Sequence, residues 1–411
     1  MGHNAIVGQS GGPTTVINSS LAGVFSVCKR LGAKTVYGMR HGVQGLLKED
    51  VIDLDGTLRT HADVELLQRT PAMLLGSCRY KLPDAAKEPG VYERLFDILR
   101  KYDIGYFFYI GGNDSMDTIL KLSDYAAAAG SDIRFVGVPK TIDNDLCVTD
   151  HTPGYGSAAK YIGTTVRELV RDSTIYDLRS VTVVEIMGRN AGWLTGAAAL
   201  AKGEDCEGVD LIYLPEVPFD IEAFLAKVRS LLEHKNTVFV AISEGIRLAD
   251  GTYVSQAGGG SDYVDAFGHK QLTGSATYLA NLVSREMGCK TRAVEFSSLQ
   301  RSASHLASRV DINEAFMVGG AAVKAADEGD SGRMVVIDRV SDDPYQSATG
   351  IYDVHKIANG EKLVPRSWIT EDGTNVTQDF VDYVRPLIQG DDPCILVGGL
   401  PRHLHLPADQ D

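Results

Sequence analysis

The feature that most constrains the fold of this chain is a repeated order of apolar segment, glycine-containing turn and helical pattern. The apolar run AIVGQ ends in SGGP and is followed by a helical pattern over about residues 15–31. The same order recurs in YFFYIGG before SMDTILKLSDYAAA and in VTVVEIMGRNAG before LTGAAALA, and further strand patterns are IRFVGVPKT, TVFVAISEG and MVVID. Strands that alternate with helices predict parallel sheets joined by right-handed crossovers. The sequence therefore predicts the α/β class, with largely parallel sheets flanked by helices.

The length of 411 residues is enough for two lobes, since one domain takes roughly 100–200 residues. Hydrophobic content of 44% and charged content of 23% are typical of a globular protein. Because neither a repeat nor a low-complexity linker separates two modules, we expect the lobes to interleave. The glycines at 258–260 are interpreted as a surface loop rather than a phosphate site.

Charge and cysteine content argue against several classes of protein. The net charge of −14 disfavours binding to nucleic acid or to an anionic membrane. The six cysteines are scattered without a CxxC pair, so they suggest neither a zinc site nor a disulfide framework. The first residues show no export leader and no long apolar stretch. We therefore expect a cytoplasmic enzyme with reduced thiols and no membrane or nucleic-acid partner.

The first glycine turn, GQSGG at 8–12, admits two functional interpretations. It matches the G-x-S-x-G nucleophile elbow of serine hydrolases, with Ser10 as nucleophile. Only seven residues precede Gly8, however, and these cannot supply the strand and loop that carry the second oxyanion donor. Gly11 and Gly12 lack a Cβ atom, so the backbone can close on a phosphoryl oxygen ahead of a helix. We favour a phosphate site over a hydrolase elbow, and a plain turn stays open because the loop matches neither the Rossmann nor the P-loop spacing.

Three further segments place polar residues where predicted strands end, which is where parallel sheets bind ligands. The string GGNDS at 111–115 suits phosphate and Mg²⁺, or a simple helix N-cap by Asp114 or Ser115. The string PKTIDND at 139–145 offers two carboxylates, a hydroxyl and a cation in one loop. The string MGR at 187–189 directs an arginine out of a sheet edge. Together the four segments predict a site for anionic ligands.

These strings, with GSCR at 76–79, SEG at 243–245, TRA at 291–293 and LQR at 299–301, resemble the phosphofructokinase superfamily over residues 5 to about 325. The resemblance implies a two-lobed phosphofructokinase-like fold, in which one lobe binds the phosphoryl donor and the other binds a sugar phosphate. It implies a donor lobe from residues 1–150, completed by about 300–345. The sugar-phosphate lobe would comprise 151–299, completed by 346–411.

The resemblance also implies a role for each matching position. Asp143 would be the base that accepts the proton of the sugar 1-hydroxyl, and Arg79 would reach the transferring phosphoryl group. The implied catalytic residues are Asp143, Lys140, Asp114 and Arg79. The implied contacts to pyrophosphate and Mg²⁺ are Gly11, Gly12, Gly112 and Asn113. The implied contacts to the sugar phosphate are Thr141, Ile142, Asp143, Asp145, Met187, Gly188, Arg189, Glu244, Arg292, Ser298 and Arg301, with Arg292 donated by a neighbouring subunit.

Two residues indicate pyrophosphate rather than ATP as the donor. ATP-using bacterial relatives usually carry glycine where this chain has Asp114 and Lys140, and both residues resemble the pyrophosphate-dependent branch. A carboxylate near an α-phosphate would repel it, because two unit charges 4 Å apart cost about 4 kcal/mol at an effective dielectric of 20. Lys140 can neutralise a phosphate leaving group. The resemblance therefore implies reversible phosphoryl transfer from pyrophosphate to the 1-hydroxyl of D-fructose 6-phosphate, in glycolysis or gluconeogenesis.

Two positions depart from the family pattern. Asn113 stands where the family carries a metal-associated aspartate, and this weakens the case for direct Mg²⁺ coordination. Ser298 stands where His or Tyr is common, so another sugar phosphate such as sedoheptulose 7-phosphate stays open. An ATP-dependent enzyme and a non-catalytic regulatory subunit are further alternatives, although Asp143 is intact. Related enzymes share arginine-bearing interfaces, so we expect a homo-oligomer, either a dimer or a tetramer.

Overall fold

The computed structural model describes residues 1–257, 274–358 and 360–406, and their strands form two main sheets and a short hairpin. The strands are β1 Asn4–Gln9, β2 Val36–Met39, β3 Val51–Asp53, β4 Ile104–Gly111, β5 Arg134–Pro139, β6 Ser180–Ile186, β7 Leu211–Tyr213, β8 Thr237–Ser243, β9 Lys290–Glu295, β10 Arg333–Asp342, β11 Tyr345–Asp353, β12 Leu396–Val397 and β13 Leu400–Pro401. The glycines at 258–260, interpreted as a surface loop, lie outside the described residues.

Helices connect most of these strands. The α-helices are α1 Ile17–Arg30, α2 Gly42–Leu46, α3 His61–Gln68, α4 Pro89–Lys101, α5 Asn113–Ala129, α6 Tyr155–Ser173, α7 Trp193–Gly196, α8 Ile221–His234, α9 Val254–Ala257, α10 Ser275–Met287, α11 Arg309–Glu328 and α12 Gln378–Val384. Short 3-10 helices are Ala197–Ala201, Ser297–Arg301, Ser304–Leu306, Val354–Lys356, Arg366–Trp368 and Arg385–Ile388. Among the helices of the described ranges, none is long and apolar enough to cross a membrane.

The first sheet has the strand order β11-β10-β5-β4-β1-β2-β3. Strands β2, β1, β4, β5 and β10 run parallel, whereas β3 and β11 are antiparallel edge strands. Helices cover both faces of such a sheet, which explains why successive residues of β4, Phe107 to Ile110, are all buried. Because β5, β4 and β1 are neighbours, the loops that follow them lie side by side.

The chain returns to the first sheet after residue 308. Helix α11 packs closely on α1, since a Cβ atom on Gly23 would lie only 2.1 Å from the Phe316 carbonyl oxygen. Strand β10 then pairs parallel to β5, and β11 pairs antiparallel to β10. The segment in this sheet thus extends to Asp353, because the β10–β11 pairing keeps both strands together.

The second sheet has the order β7-β8-β6-β9, and all of its strands run parallel. Strands β8, β6 and β9 are neighbours, so their carboxyl ends also meet at one edge. Glu244 follows β8, Met187 follows β6, and the 3-10 helix Ser297–Arg301 follows β9. The predicted α/β class, with largely parallel sheets flanked by helices, is confirmed.

Candidate active site

The glycine turn after β1 closes on a lysine that follows β5. Lys140 Nζ donates a hydrogen bond to the Gly12 carbonyl oxygen at 2.7 Å, and the Lys140 backbone N–H bonds to Gly111 O at 3.0 Å. Gly11 has a φ of +79°, and a Cβ atom there would lie 3.2 Å from the Lys140 ammonium. Glycine is therefore needed at position 11 for both its backbone conformation and the close approach of the cation.

Lys140 is almost fully inaccessible, with 2% of its surface exposed. Burial lowers the pKa of its ammonium to about 8, although Asp143 and Asp145 act in the opposite direction. A cation in such a place interacts strongly with any anion that enters, because little water screens it. Lys140 thus places a buried cation directly against the turn at 10–12.

Helix α5 begins beside this turn. Its first residue is Asn113, its N-cap position is Gly112, and no side-chain capping hydrogen bond is present, so the simple N-cap by Asp114 or Ser115 is not observed. Asn113 Nδ2 lies 3.4 Å from Asp145 Oδ2, and the buried Asn113 Oδ1 has no hydrogen-bond partner among the described residues. Asp114 is exposed in the first turn. A helix N-terminus of this kind favours a phosphate group.

The loop after β5 carries two carboxylates. The Thr141 hydroxyl donates to Asp143 Oδ2 at 3.3 Å and accepts from the Asp143 N–H at 3.1 Å, which orients the Asp143 side chain. Burial raises the pKa of Asp143, against the opposing effects of Thr141, Lys140 and nearby arginines. Burial and the charge of Asp143 raise the pKa of Asp145 to about 7. Asp143 is therefore a more basic carboxylate than an exposed aspartate.

The edge of the second sheet brings a third carboxylate to the same place. The Gly188 N–H points to Glu244 Oε1 at 3.4 Å, and the Ser243 hydroxyl donates to the Gly188 carbonyl. Burial and the charge of Asp143 raise the pKa of Glu244 to about 7. Arg189 also acts electrostatically on Asp143 and Glu244. The turn after β6 and the end of β8 therefore face the loop after β5.

Arg301 joins the two sheet edges. A Cβ atom on Gly12 would lie 3.5 Å from Arg301 Nη1, although Arg301 belongs to the 3-10 helix after β9. Burial and the neighbouring charge of Arg79 lower the pKa of Arg301, whereas Asp143 and Glu244 raise it. Two arginines held near one another favour an anionic ligand between them.

Three predicted site residues occupy other positions. Ile142 is buried in the hydrophobic core that includes Tyr155, so its side chain serves packing. Arg292 lies on the edge strand β9, where its Nη1 pairs with Asp172 Oδ2 at 2.6 Å and 42% of its side chain is exposed. Ser298 is exposed on the 3-10 helix. Among the described residues, Arg292 hydrogen-bonds to Asp172 and the Ser298 carbonyl accepts from Ser302, and neither residue hydrogen-bonds to Asp143.

Three residues in or beside the loop after β5 were absent from the sequence-based set. Asn144 lies within the string PKTIDND and could have been found there. Lys362 and Tyr383 both hydrogen-bond to Asn144, yet they lie in a C-terminal stretch without a recognisable motif. No sequence signal marks them.

Comparison with known proteins identifies the family. Residues 4–326 match the family model described as Phosphofructokinase. The chain is 44% identical to the pyrophosphate–fructose 6-phosphate 1-phosphotransferase of Xanthomonas campestris, over 98% of this chain and 96% of that protein. It is 41% identical to the protein of the same name from Halomonas elongata, over 97% and 95%.

A solved structure gives the same result. The crystal structure of pyrophosphate-dependent phosphofructokinase from Nitrosospira multiformis superposes with a TM-score of 0.88 at 38% identity, covering 98% of this chain and 96% of the other. These matches extend over nearly the whole chain. They give no support to the hydrolase interpretation of Ser10.

Proposed function

This chain belongs to the phosphofructokinase family, and we propose that it transfers a phosphoryl group from pyrophosphate to the 1-hydroxyl of D-fructose 6-phosphate. The new bond joins the sugar oxygen to the terminal phosphorus, the bridging P–O bond breaks, and phosphate leaves. The products are fructose 1,6-bisphosphate and phosphate, and the reaction runs in both directions. The observation that carries the choice of donor is the buried Lys140 ammonium on the Gly12 carbonyl.

Lys140 and Asp114 together favour pyrophosphate. The leaving group is free phosphate, with no nucleotide to spread its charge, so a desolvated cation beside it lowers the barrier. Asp114 stands exposed at the N-terminus of α5, where the rest of a nucleotide donor would extend. Repulsion between this carboxylate and the α-phosphate of ATP would weaken ATP binding, because both groups are negatively charged. Gly11, Gly12 and Gly112 would bind the pyrophosphate through their backbone.

Asp143 is proposed as the general base. Its raised pKa makes it a better proton acceptor, and the two contacts with Thr141 fix its direction. The proton of the sugar 1-hydroxyl passes to Asp143 as the oxygen attacks phosphorus. Arg79 would stabilise the negative charge of the transferring phosphoryl group, since a guanidinium group matches phosphate oxygens well.

The sugar phosphate would lie along the edge of the second sheet. Glu244, Arg189 and the backbone at 187–188 line the side that faces Asp143. We propose that Glu244 accepts a hydrogen bond from a sugar hydroxyl and that Arg301 binds the 6-phosphate. The exposed Arg292 suits donation to a neighbouring subunit, because an edge strand with 42% of this side chain exposed is open to a partner. The proposed assembly is a cytoplasmic homo-oligomer.

Mg²⁺ is proposed to accompany pyrophosphate. The buried Asn113 Oδ1 offers one oxygen without a partner, which suits a hard cation. In the described ranges, no group of three or more His, Cys, Asp or Glu side chains is arranged to hold a metal. Mg²⁺ commonly takes few protein ligands and completes its shell with phosphates and water. Pyrophosphate would thus supply most ligands, and the ion would neutralise charge on the transferring group.

The test is turnover of fructose 6-phosphate by the purified wild-type chain with Mg²⁺, with pyrophosphate and ATP in parallel. We expect turnover with pyrophosphate and little or none with ATP. Sedoheptulose 7-phosphate serves as the competing acceptor and should give a lower kcat/KM. A higher kcat/KM with ATP would overturn the donor assignment, and absence of turnover with every pair would favour a regulatory subunit.

A further inference from the structure

A C-terminal strap touches both sides of the proposed site. The strap is defined as residues 360–364 together with Tyr383, and it lies outside the stretch 4–326 that matches the family model. We propose that Lys362 and Tyr383 are positioning residues that fix the catalytic loop, residues 140–150, relative to the sugar turn, residues 187–193. This inference rests on the proposed function, because that function gives the loop and the turn their roles.

The first anchor is Asn144, between the two carboxylates of the catalytic loop. Asn144 is fully buried and has a φ of +55°, a left-handed conformation that needs support from its surroundings. Its Nδ2 donates to the Tyr383 hydroxyl at 2.9 Å, and that hydroxyl donates to the Asp150 carbonyl oxygen at 2.6 Å. One tyrosine hydroxyl therefore links the middle of the loop to its end.

The second anchor is Lys362. Its Nζ donates to the Asp150 carbonyl at 2.7 Å and the Thr149 carbonyl at 3.2 Å, and it lies 3.4 Å from Asn144 Oδ1. Its backbone N–H donates to the Asp145 carbonyl at 2.8 Å. Every one of these acceptors belongs to the catalytic loop. The loop conformation is thus fixed by a residue more than 200 positions away in the sequence.

The same strap binds the sugar turn. The Lys362 carbonyl accepts from the indole Nε1 of Trp193 at 2.8 Å. The Val364 N–H donates to Glu216 Oε1 at 3.0 Å, and the same oxygen accepts the Gly192 N–H at 2.8 Å. Lys362 therefore bonds to the catalytic loop through its N–H and ammonium and to the sugar turn through its carbonyl.

This arrangement matters because the reaction needs the base and the sugar at a fixed separation. A shift of about 1 Å can reduce a rate about 10²-fold when reacting groups lose their alignment. Loss of one anchor should loosen the loop while leaving Asp143 and the sugar contacts chemically intact. The expected signature is a fall in kcat without an equal rise in KM.

The decisive variant is Tyr383→Phe, which removes the hydroxyl but keeps the ring that packs on Trp193 and Trp368. We expect kcat to fall about tenfold or more and KM for both substrates to change less than about twofold. The matched control is Tyr92→Phe, since the buried Tyr92 hydroxyl also donates to a backbone carbonyl at 2.6 Å, that of Pro83, which belongs neither to the strap nor to the catalytic loop. Its kcat should stay at the wild-type value. An equal loss of kcat in both variants would overturn the inference.

A second measurement does not depend on turnover. Amide hydrogen exchange of peptides covering 141–150 should become about three- to tenfold faster in Tyr383→Phe and in Lys362→Met, the range expected for loss of one hydrogen bond. Unchanged exchange in both variants overturns the positioning role. An inactive wild type would contradict only the proposed function, and amide hydrogen exchange of residues 141–150 would still test whether the strap positions the loop. Active wild type with unaltered kcat in Tyr383→Phe contradicts the strap inference alone.

Discussion

Two clusters of charged side chains both include residues of the segment 140–151, and they are built in opposite ways. The catalytic cluster contains Lys140, Asp143 and Asp145. The second, here called the His151 cluster, contains Asp150, His151, Glu314 and Arg339. His151 bonds to Asp150 Oδ2 at 2.7 Å and to Glu314 Oε2 at 2.6 Å, and Arg339 also bonds to Asp150.

The direction of the pKa shifts separates the clusters. Burial lowers the pKa of Lys140 and raises the pKa of Asp143, so each is pushed towards its neutral form. In the His151 cluster burial acts the same way, but Glu314 and Asp150 overcome it and raise the pKa of His151 to about 9. Contacts with His151 likewise lower the pKa of Glu314 despite its burial. Groups that burial pushes towards their neutral forms are typical of functional sites, whereas removing one partner of a buried ion pair destabilises the fold.

The largest expected effect is on the catalytic cluster. In Asp143→Asn the shape is kept but the base is lost, so kcat should fall by about 10²–10⁴-fold. The free energy of unfolding should not decrease, because burial disfavours the charged carboxylate, as the raised pKa of Asp143 indicates, and the neutral amide avoids that cost. Steady-state kinetics and urea unfolding measure the two quantities. A kcat of Asp143→Asn within tenfold of wild type would contradict the assignment of Asp143 as the general base.

The opposite outcome is expected in the His151 cluster. Glu314→Gln leaves a buried imidazolium with one partner fewer, and breaking such a pair typically costs about 3–5 kcal/mol of unfolding free energy. The kcat of the folded enzyme should be close to wild type. Urea unfolding checks the change, with Glu49→Gln, which breaks the exposed ion pair with Lys101, as the control that should leave the midpoint almost unchanged. If Glu314→Gln were as stable as wild type, the claim that the His151 cluster contributes to folding stability would be wrong.

A smaller effect should appear as a pH dependence of stability. The folded pKa of His151, about 9, lies above its ordinary value of 6.5, so its contribution is complete below pH 6.5 and is lost as pH rises to 9. The loss should reach about 3 kcal/mol across this range.

Urea midpoints between pH 6 and 9.5 measure this loss. The variant His151→Gln should be less stable at pH 6 and should show a flatter profile. Parallel profiles for the variant and the wild type would exclude His151 as the group responsible.

The sequence predicted the catalytic cluster better than the His151 cluster, and the reason is chain distance. The strings at 10–13, 111–115 and 139–145 end neighbouring parallel strands, so local pattern was enough to place Gly12, Asn113 and Lys140 together. The pair between His151 and Glu314 joins residues 163 positions apart, and neither residue belongs to a motif. Only the packing of α11 against the first sheet brings them into contact.

The same limit applies to the C-terminal part of the chain. The hydrophobic pattern predicted the strand that became β10 but gave no sign that residues 360–364 would cross between the two sheets. Ile142, for example, stands inside PKTIDND, and its side chain packs into the core. A motif identifies a loop reliably, whereas the direction of each side chain depends on the tertiary structure.

The most direct test of the account is the choice of phosphoryl donor by the double variant Asp114→Gly/Lys140→Gly. The ratio of kcat/KM for ATP to that for pyrophosphate should rise by orders of magnitude over wild type, because the repulsive carboxylate is gone and the leaving phosphate has lost its cation. Each single variant should give an intermediate ratio. A wild-type chain that already uses ATP efficiently, or a double variant whose ratio equals that of wild type, would contradict the proposal that these two residues select pyrophosphate.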